Sequence, residues 1–270
     1  MYNLCCIIIK LMKKLFIYLL FFISYCHVQA AGEFTMTIDT TITDIGTSLA
    51  DQMQIPTLAG RVYNYTVDWG DGNITSNIVG TVTHTYDVPG IYQLKISGTF
   101  PHIYFNNIGD ARKVISIDQW GTNIWASMER AFAGTSNMTT VVDGDVDAPN
   151  LSVATSTAYM FANSAMNSNI STWNMSHIVD MEGMFTNNTQ FNQNLSTWNV
   201  SQVTNMNSLF YNAQAFNGNI SGWNTANVVD MASLFSSTPF NSDISTWNTS
   251  SVTSMAGMFE GDVDFNQDIS

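Results

Sequence analysis

Beyond its first thirty residues the chain has no cysteine: Cys5, Cys6 and Cys26 are the only three. The remainder can form neither a disulfide nor a thiolate metal site, so packing alone must hold it together. Basic residues are almost as scarce. Lys10, Lys13 and Lys14 fall in the same leader, leaving Arg61, Lys95, Arg112, Lys113 and Arg130 against 21 Asp and Glu, a formal charge of −16. No Lys or Arg occurs in the 140 residues after Arg130. Phosphate-backbone binding depends on basic side chains, which excludes nucleic acid as a partner and disfavours anionic membrane surfaces. Charged residues of both signs make up only 11%, against about 25% in ordinary domains. Asn, Ser, Thr and Gly must therefore cover the surface.

What is present begins with a leader. Lys13 and Lys14 precede an apolar run, Leu15 to Ile23, and the stretch ends in "HVQA". That is the pattern of a secretory signal peptide, expected over residues 1–30 with cleavage after Ala30. Met12 starts it better than Met1. The run is too short to span a bilayer, which takes about 20 residues, and no integral span is expected in the mature chain. Cys26 offers a lipid-anchor alternative, against which Tyr25 stands as too large for the preceding position.

From Phe34 to Phe105 the apolar pattern has period two. "YNYTVDWGDG" places Tyr63, Tyr65, Val67 and Trp69 on one strand face, followed by a turn at Gly70–Asp71–Gly72. "GTVTHTY" and "YQLKIS" alternate likewise, with a turn at "VPG" between them. Short alternating strands with frequent turns indicate a β-sandwich. "VDWGDG…HTYDVPGIYQLKI" resembles the signature of PKD-type domains, over about residues 33–105. The resemblance implies an extracellular spacer or binding module. Trp69 and His84 read as structural, and Asp71 as a turn residue.

The rest of the chain repeats. Trp173, Trp198, Trp223 and Trp247 have the same surroundings, and Phe185, Phe210, Phe235 and Phe259 each follow twelve residues later. Trp120 with Phe132, and Pro149 with Phe161, are two worn copies, giving about six units of 24–29 residues. A period in this range means stacked supersecondary units. "LSTWNVSQ" reads as the strand half of a leucine-rich repeat. Met206, Leu209, Phe210 and Ala213, spaced i, i+3, i+4, i+7, predict a short helix. Asp180, Asn205, Asp230 and Ser254, with Ser127 and Ser156 upstream, stand where its N-cap would be. The Met series (181, 206, 231, 255) reads as core. Asn192, Asn217, Asn241 and Asn266, each after a Phe, are placed to hydrogen-bond from unit to unit.

The wording "FNQNLSTWNVSQVTNMNSLF" resembles BspA-like leucine-rich-repeat surface proteins of bacteria, close to a mycoplasma-type surface repeat domain, over about residues 114–270. The expected fold class is therefore mixed: an all-β PKD-like sandwich, then an α/β leucine-rich-repeat-like solenoid over 106–270, one strand and one short helix per coil. "FNQDIS" restarts the phrase and stops at Ser270, before the next expected Trp. Solenoids need polar caps on their last coil. The reading is a solenoid truncated mid-repeat, belonging to a longer product or self-associating through its uncapped C-terminal coil.

No catalytic set is found. The three histidines outside the leader (His84, His102, His177) are scattered, and no Ser has a nucleophile-elbow setting. "DGDVD", Asp143 to Asp147, imitates a calcium loop but has Ala148 and Ala154 where Gly and Glu belong. No metal and no cofactor are expected. The candidate contact residues are those between the buried positions of the strand half: Thr172, Asn174, Thr197, Asn199, Asn224, Thr246 and Asn248. The expectation is a non-catalytic, secreted or cell-surface bacterial protein that adheres to proteins or glycans of a host or neighbouring cell. The alternatives are an accessory region of a larger secreted enzyme and a structural surface-layer protein.

Overall fold

The computed structural model describes residues 32–268, which form one compact unit. The leader expected over residues 1–30 lies outside the described residues. Among the described residues eight strands are present: β1 (Phe34–Asp39), β2 (Gln52–Ile55), β3 (Asn64–Asp68), β4 (Ile74–Ile78), β5 (Val82–Thr85), β6 (Ile91–Thr99), β7 (Val114–Gln119) and β8 (Thr140–Val141). Six of them make one sheet in the order β4-β3-β6-β1-β7-β8, and β2 pairs with β5 in a second, two-stranded sheet. All pairings are antiparallel except β7 with β8. The sheet thus runs past residue 105 and takes in the first segments of the repeat region.

Alternation explains the strands. Phe34, Met36 and Ile38 of β1 are buried, and so are Tyr63, Tyr65, Val67 and Trp69 along β3. Gly98 of β6 lets two backbones approach, because a Cβ there would sit 2.7 Å from the Asn64 carbonyl oxygen. A 3₁₀ turn, Gly109–Lys113, follows the sheet's long β6 segment and carries a buried ion pair. The Lys113 ammonium donates to the carbonyls of Leu49 and Gln52, each at 2.7 Å, and to Ser48 Oγ at 2.9 Å. Asp110 accepts from the backbone N–H groups of Ser48 and Gln54. Burial lowers the Lys113 pKa against the opposing pull of Asp110. Two side chains thereby fix the 48–54 segment to the start of β7.

The repeats depart from the expected mixed class. Among the described residues there is no α-helix, the 3₁₀ turn is the one helical element, and residues 106–268 contribute only β7, β8 and isolated parallel bridges as strand structure. The α/β leucine-rich-repeat-like solenoid is therefore corrected to a nearly all-β molecule whose repeats are built from turns. The hydrogen bonds give the reason. In the segment expected to be helical, the N–H groups of Met184, Thr186 and Asn188 bond three residues back, to Met181, Gly183 and Phe185. The intervening N–H groups, of Met181, Gly183, Phe185 and Asn187, bond instead to Asn205, Asn207, Leu209 and Tyr211 in the next repeat. Gly183 and Asn187 have φ of 56° and 57°, a left-handed residue every fourth position. That interrupts the α-helical ladder and turns alternate amides outward. Ser208 and Asn212, then Ser233 and Ser237, repeat the conformation.

The expected caps keep half of their role. The side chains of Asp180, Asn205, Asp230 and Ser156 each accept the N–H two residues on. Their backbones form the parallel bridges Ser156–Asp180–Asn205–Asp230–Ser254. The "LSTWNVSQ" half is likewise two turns rather than a strand, closed by Trp198 N–H to Leu195 and Val203 N–H to Val200.

Side chains stack in register. Phe185, Phe210, Phe235 and Phe259 have centroids 5.6–5.9 Å apart. Trp198, Trp223 and Trp247 stack at 6.4 and 6.2 Å, within 4° of parallel. Phe191, Phe216, Phe240 and Phe265 form a third column. Beside it the Asn192, Asn217 and Asn241 side chains each accept the backbone N–H of the Asn one repeat on, at 2.9–3.1 Å.

Candidate binding face

Two tight turns per repeat set the outer face. Asn174 Oδ1 accepts the N–H of Ser176, and Asn199, Asn224 and Asn248 repeat the bond with Ser201, Ala226 and Ser250, at 3.0–3.2 Å. Such Asx turns suit Asn, whose side chain stands in for a backbone acceptor. All four are exposed, as are Thr172, Thr197 and Thr246. The hydroxyl of Thr197 donates to the Ser171 carbonyl at 2.6 Å, and that of Thr246 to the Ser221 carbonyl at 3.0 Å. Gly222 interrupts the Thr row: a Cβ there would lie 2.2 Å from the Ser196 carbonyl oxygen. Between these residues, Trp173, Trp198 and Trp223 point inward and are buried, as are Phe185, Phe210 and Phe235. Trp247 and Phe259 of the last repeat are only half-buried.

The structure therefore brings all seven candidate contact residues to one face, in two rows at the repeat period. It also shows that the hydroxyls of Thr197 and Thr246, and the Oδ1 atoms of the four Asn, are engaged within the protein. What the face offers a partner is the amide nitrogens of Asn174, Asn199, Asn224 and Asn248. No basic side chain lies on this half of the chain; Gly144, flanked by Asp143 and Asp145, packs against Thr172, and the exposed Asp243 stands three residues before Thr246. The face is regular and without positive charge, and its turns are closed by its own hydrogen bonds.

Other polar groupings are committed elsewhere. Asp147 accepts the backbone N–H groups of Trp120 and Gly121, and Asp143 that of Asp145, so the calcium-like stretch serves as a turn. Among the described residues no three His, Cys, Asp or Glu side chains converge as a metal site. His84 lies 2.8 Å from Asp71 and stacks on Trp69 at 4.7 Å. Burial, which would raise the Asp71 pKa, is outweighed by the hydrogen bonds from His84 and Asn73, and the carboxyl titrates below its usual range. Tyr159 donates to Glu182 at 2.6 Å; burial and that carboxylate push its pKa up to about 12. A cleft of about 550 Å³ opens between the 45–47 loop and the first repeats, lined by Asn107, Arg112, Ser136 and Asn163. Sequence reasoning missed it because its walls meet only when the sheet docks on the repeats.

The repeat region matches a family described as Mycoplasma protein of unknown function, DUF285, in three overlapping stretches: residues 104–194, 126–239 and 219–270. Together they cover more than half of the chain. The chain belongs to this family. Overlap of the DUF285 stretches is what tandem units produce, since one repeat can be aligned in more than one register. The match begins at residue 104, ahead of β7, so β1 to β6 lie outside it, and neither a PKD-type nor a BspA-type match accompanies it. No curated protein and no solved structure matches the chain. Among the described residues no helix is long and apolar enough to cross a membrane.

Proposed function

We propose that this DUF285 protein is an exported or surface-displayed bacterial protein that binds proteins or glycans without catalysing a reaction on them. The observation that carries the reading is the double row of exposed Thr and Asn on consecutive repeats. Hydroxyl- and amide-rich partners form several weak contacts with such an array at once, and linkage multiplies them. The absence of Lys and Arg after Arg130 removes charge-driven capture of anionic partners. The signal-like leader supports export.

The test is an array of glycans and matrix proteins probed with the wild-type chain and with Asn199→Leu/Asn224→Leu. Binding that weakens at least tenfold in the variant, with the fold intact, supports the proposal. Equal binding by both chains, no binding at all, or turnover of an arrayed partner overturns it.

A further inference from the structure

Eleven Asn-x-Ser or Asn-x-Thr triplets lie among the described residues. An Asn in this setting is the acceptor of N-linked sugar on the surface of exported proteins. The fold sorts the eleven. At Asn150, Asn174, Asn194, Asn199, Asn219 and Asn248 the Asn is exposed, and its Oδ1 accepts the N–H of the Ser two residues on, at 3.0–3.1 Å. An Asn amide carries an acceptor oxygen and a donor nitrogen. The turn uses the oxygen, and the Nδ2 atoms of these six have no partner among the described residues. In four others the nitrogen is taken. Asn73 donates it to Asp71 at 3.0 Å and Asn137 to the Arg112 carbonyl at 2.8 Å. Asn169 donates to Asp143 at 3.1 Å and Asn187 to Asn163 at 3.0 Å. The eleventh, Asn64, lies within β3.

Two positions show that the turn does not itself require the triplet. Asn224 accepts the N–H of Ala226 at 3.2 Å, and Asp243 accepts that of Ser245 at 2.9 Å. The same turn therefore forms without a hydroxyl at its third position and without an amide at its first. The hydroxyls of Ser152, Ser196, Ser201, Ser221 and Ser250 make no hydrogen bond among the described residues. That of Ser176 lies 3.2 Å from His177 Nδ1. Folding thus explains the Asn oxygen, and leaves the free nitrogen and the Ser hydroxyl without a structural task.

We infer that these six Asn are acceptors of N-linked sugar, so that the repeats display glycans at their own period. The co-substrate is a sugar esterified to a diphosphate through its anomeric carbon, presented by a separate transferase. Nδ2 bonds to the anomeric carbon. The C–O bond to the diphosphate breaks and its electron pair leaves with the diphosphate. The Nδ2 proton passes to a base of the transferase, and nothing is oxidised or reduced. Sugars hydrate a surface on which only 11% of residues are charged. The inference goes beyond the binding reading, because a glycan on Asn199 covers part of the face that Asn224 leaves bare. Array binding by chain made without the transferase tests the binding reading alone, so the two can fail separately.

The experiment isolates the chain from the cells that naturally make it. Each Asn-bearing peptide is then mapped by mass spectrometry with electron-transfer fragmentation, which keeps a sugar on its residue. Sugar is expected on the six, and none on Asn224 or on the four whose nitrogen is bonded. Ser201→Ala should lose the sugar at Asn199 and keep it at Asn174. Ala226→Ser should gain one at Asn224. The turn forms with either residue, so neither change removes the acceptor's geometry. A single sugar unit marks a nucleotide-borne donor and a preassembled chain a lipid-borne one, and either supports the inference. Six bare Asn, or sugar spread equally over Asn224 and the bonded four, overturns it. So does sugar on Asn199 that survives Ser201→Ala.

Discussion

His102 shows how one side chain can set a property of the whole stack. It is buried, donates to the Glu129 carbonyl, and has a pKa lowered by burial to about 4 from 6.5. The folded protein holds it neutral while the unfolded chain protonates it below pH 6.5. Its contribution is fully present above that pH and is lost as pH falls toward 4. A shift of this size corresponds to about 3 kcal/mol. Urea unfolding should lose that much across this interval in the wild type, and the His102→Gln chain should show a flatter profile there. Parallel profiles would contradict the assignment. Lys113 makes the complementary case, a buried cation held by carbonyls and Asp110. Lys113→Ala leaves Asp110 buried and uncompensated, and should cost about 3–5 kcal/mol in denaturant unfolding. A loss under 1 kcal/mol would show that the 48–54 segment does not depend on it.

At the scale of the element, the turn ribbon explains what sequence could and could not reveal. Met206, Leu209, Phe210 and Ala213 are all buried, as their spacing requires. That spacing belongs equally to a self-bonded helix and to a ribbon that bends back every fourth residue. Apolar periodicity reports which side chains face inward, and it is silent on where the backbone amides go. The signal that separates the two was faint: a Gly, Ser or Asn at the left-handed positions, as at Gly183, Asn187, Ser208, Asn212, Ser233 and Ser237. The exposure of the Thr and Asn rows was readable because they alternate with buried Trp. Their engagement in Asx turns and cross-repeat bonds was not, because it depends on the neighbouring repeat.

The ribbon makes opposite predictions for two equivalent positions. At Gly183 an added Cβ would lie 2.3 Å from the Tyr159 ring, at φ 56°. Gly183→Ala should destabilise by more than about 1 kcal/mol. Ser233 holds φ 54° with a side chain, so Ser233→Gly should stabilise or be neutral despite the added freedom of the unfolded chain. An α-helix at this place would reverse both signs, since Gly is the poorer helix former there by roughly 1 kcal/mol. Thermal unfolding of the two variants decides between them.

At the scale of the whole molecule, the sheet and the repeats share one core. Phe34 of β1 packs against Trp120, Trp125 and Phe132, and after β6 the N–H groups of Phe105 and Asn107 bond to the carbonyls of Ala131 and Ala133 in the first ribbon. The β-rich first part is thereby continuous with the repeats in one core. The central claim is that alternate N–H groups of each turn ribbon bond to the next repeat instead of closing an α-helical ladder. Through-hydrogen-bond scalar couplings measured by NMR test it most directly. The account predicts couplings from the amides of Met206, Ser208 and Phe210 to the carbonyl carbons of Asp230, Ala232 and Leu234. Couplings from Phe210 to the carbonyl carbon of Met206, the pattern of an α-helix, would contradict it.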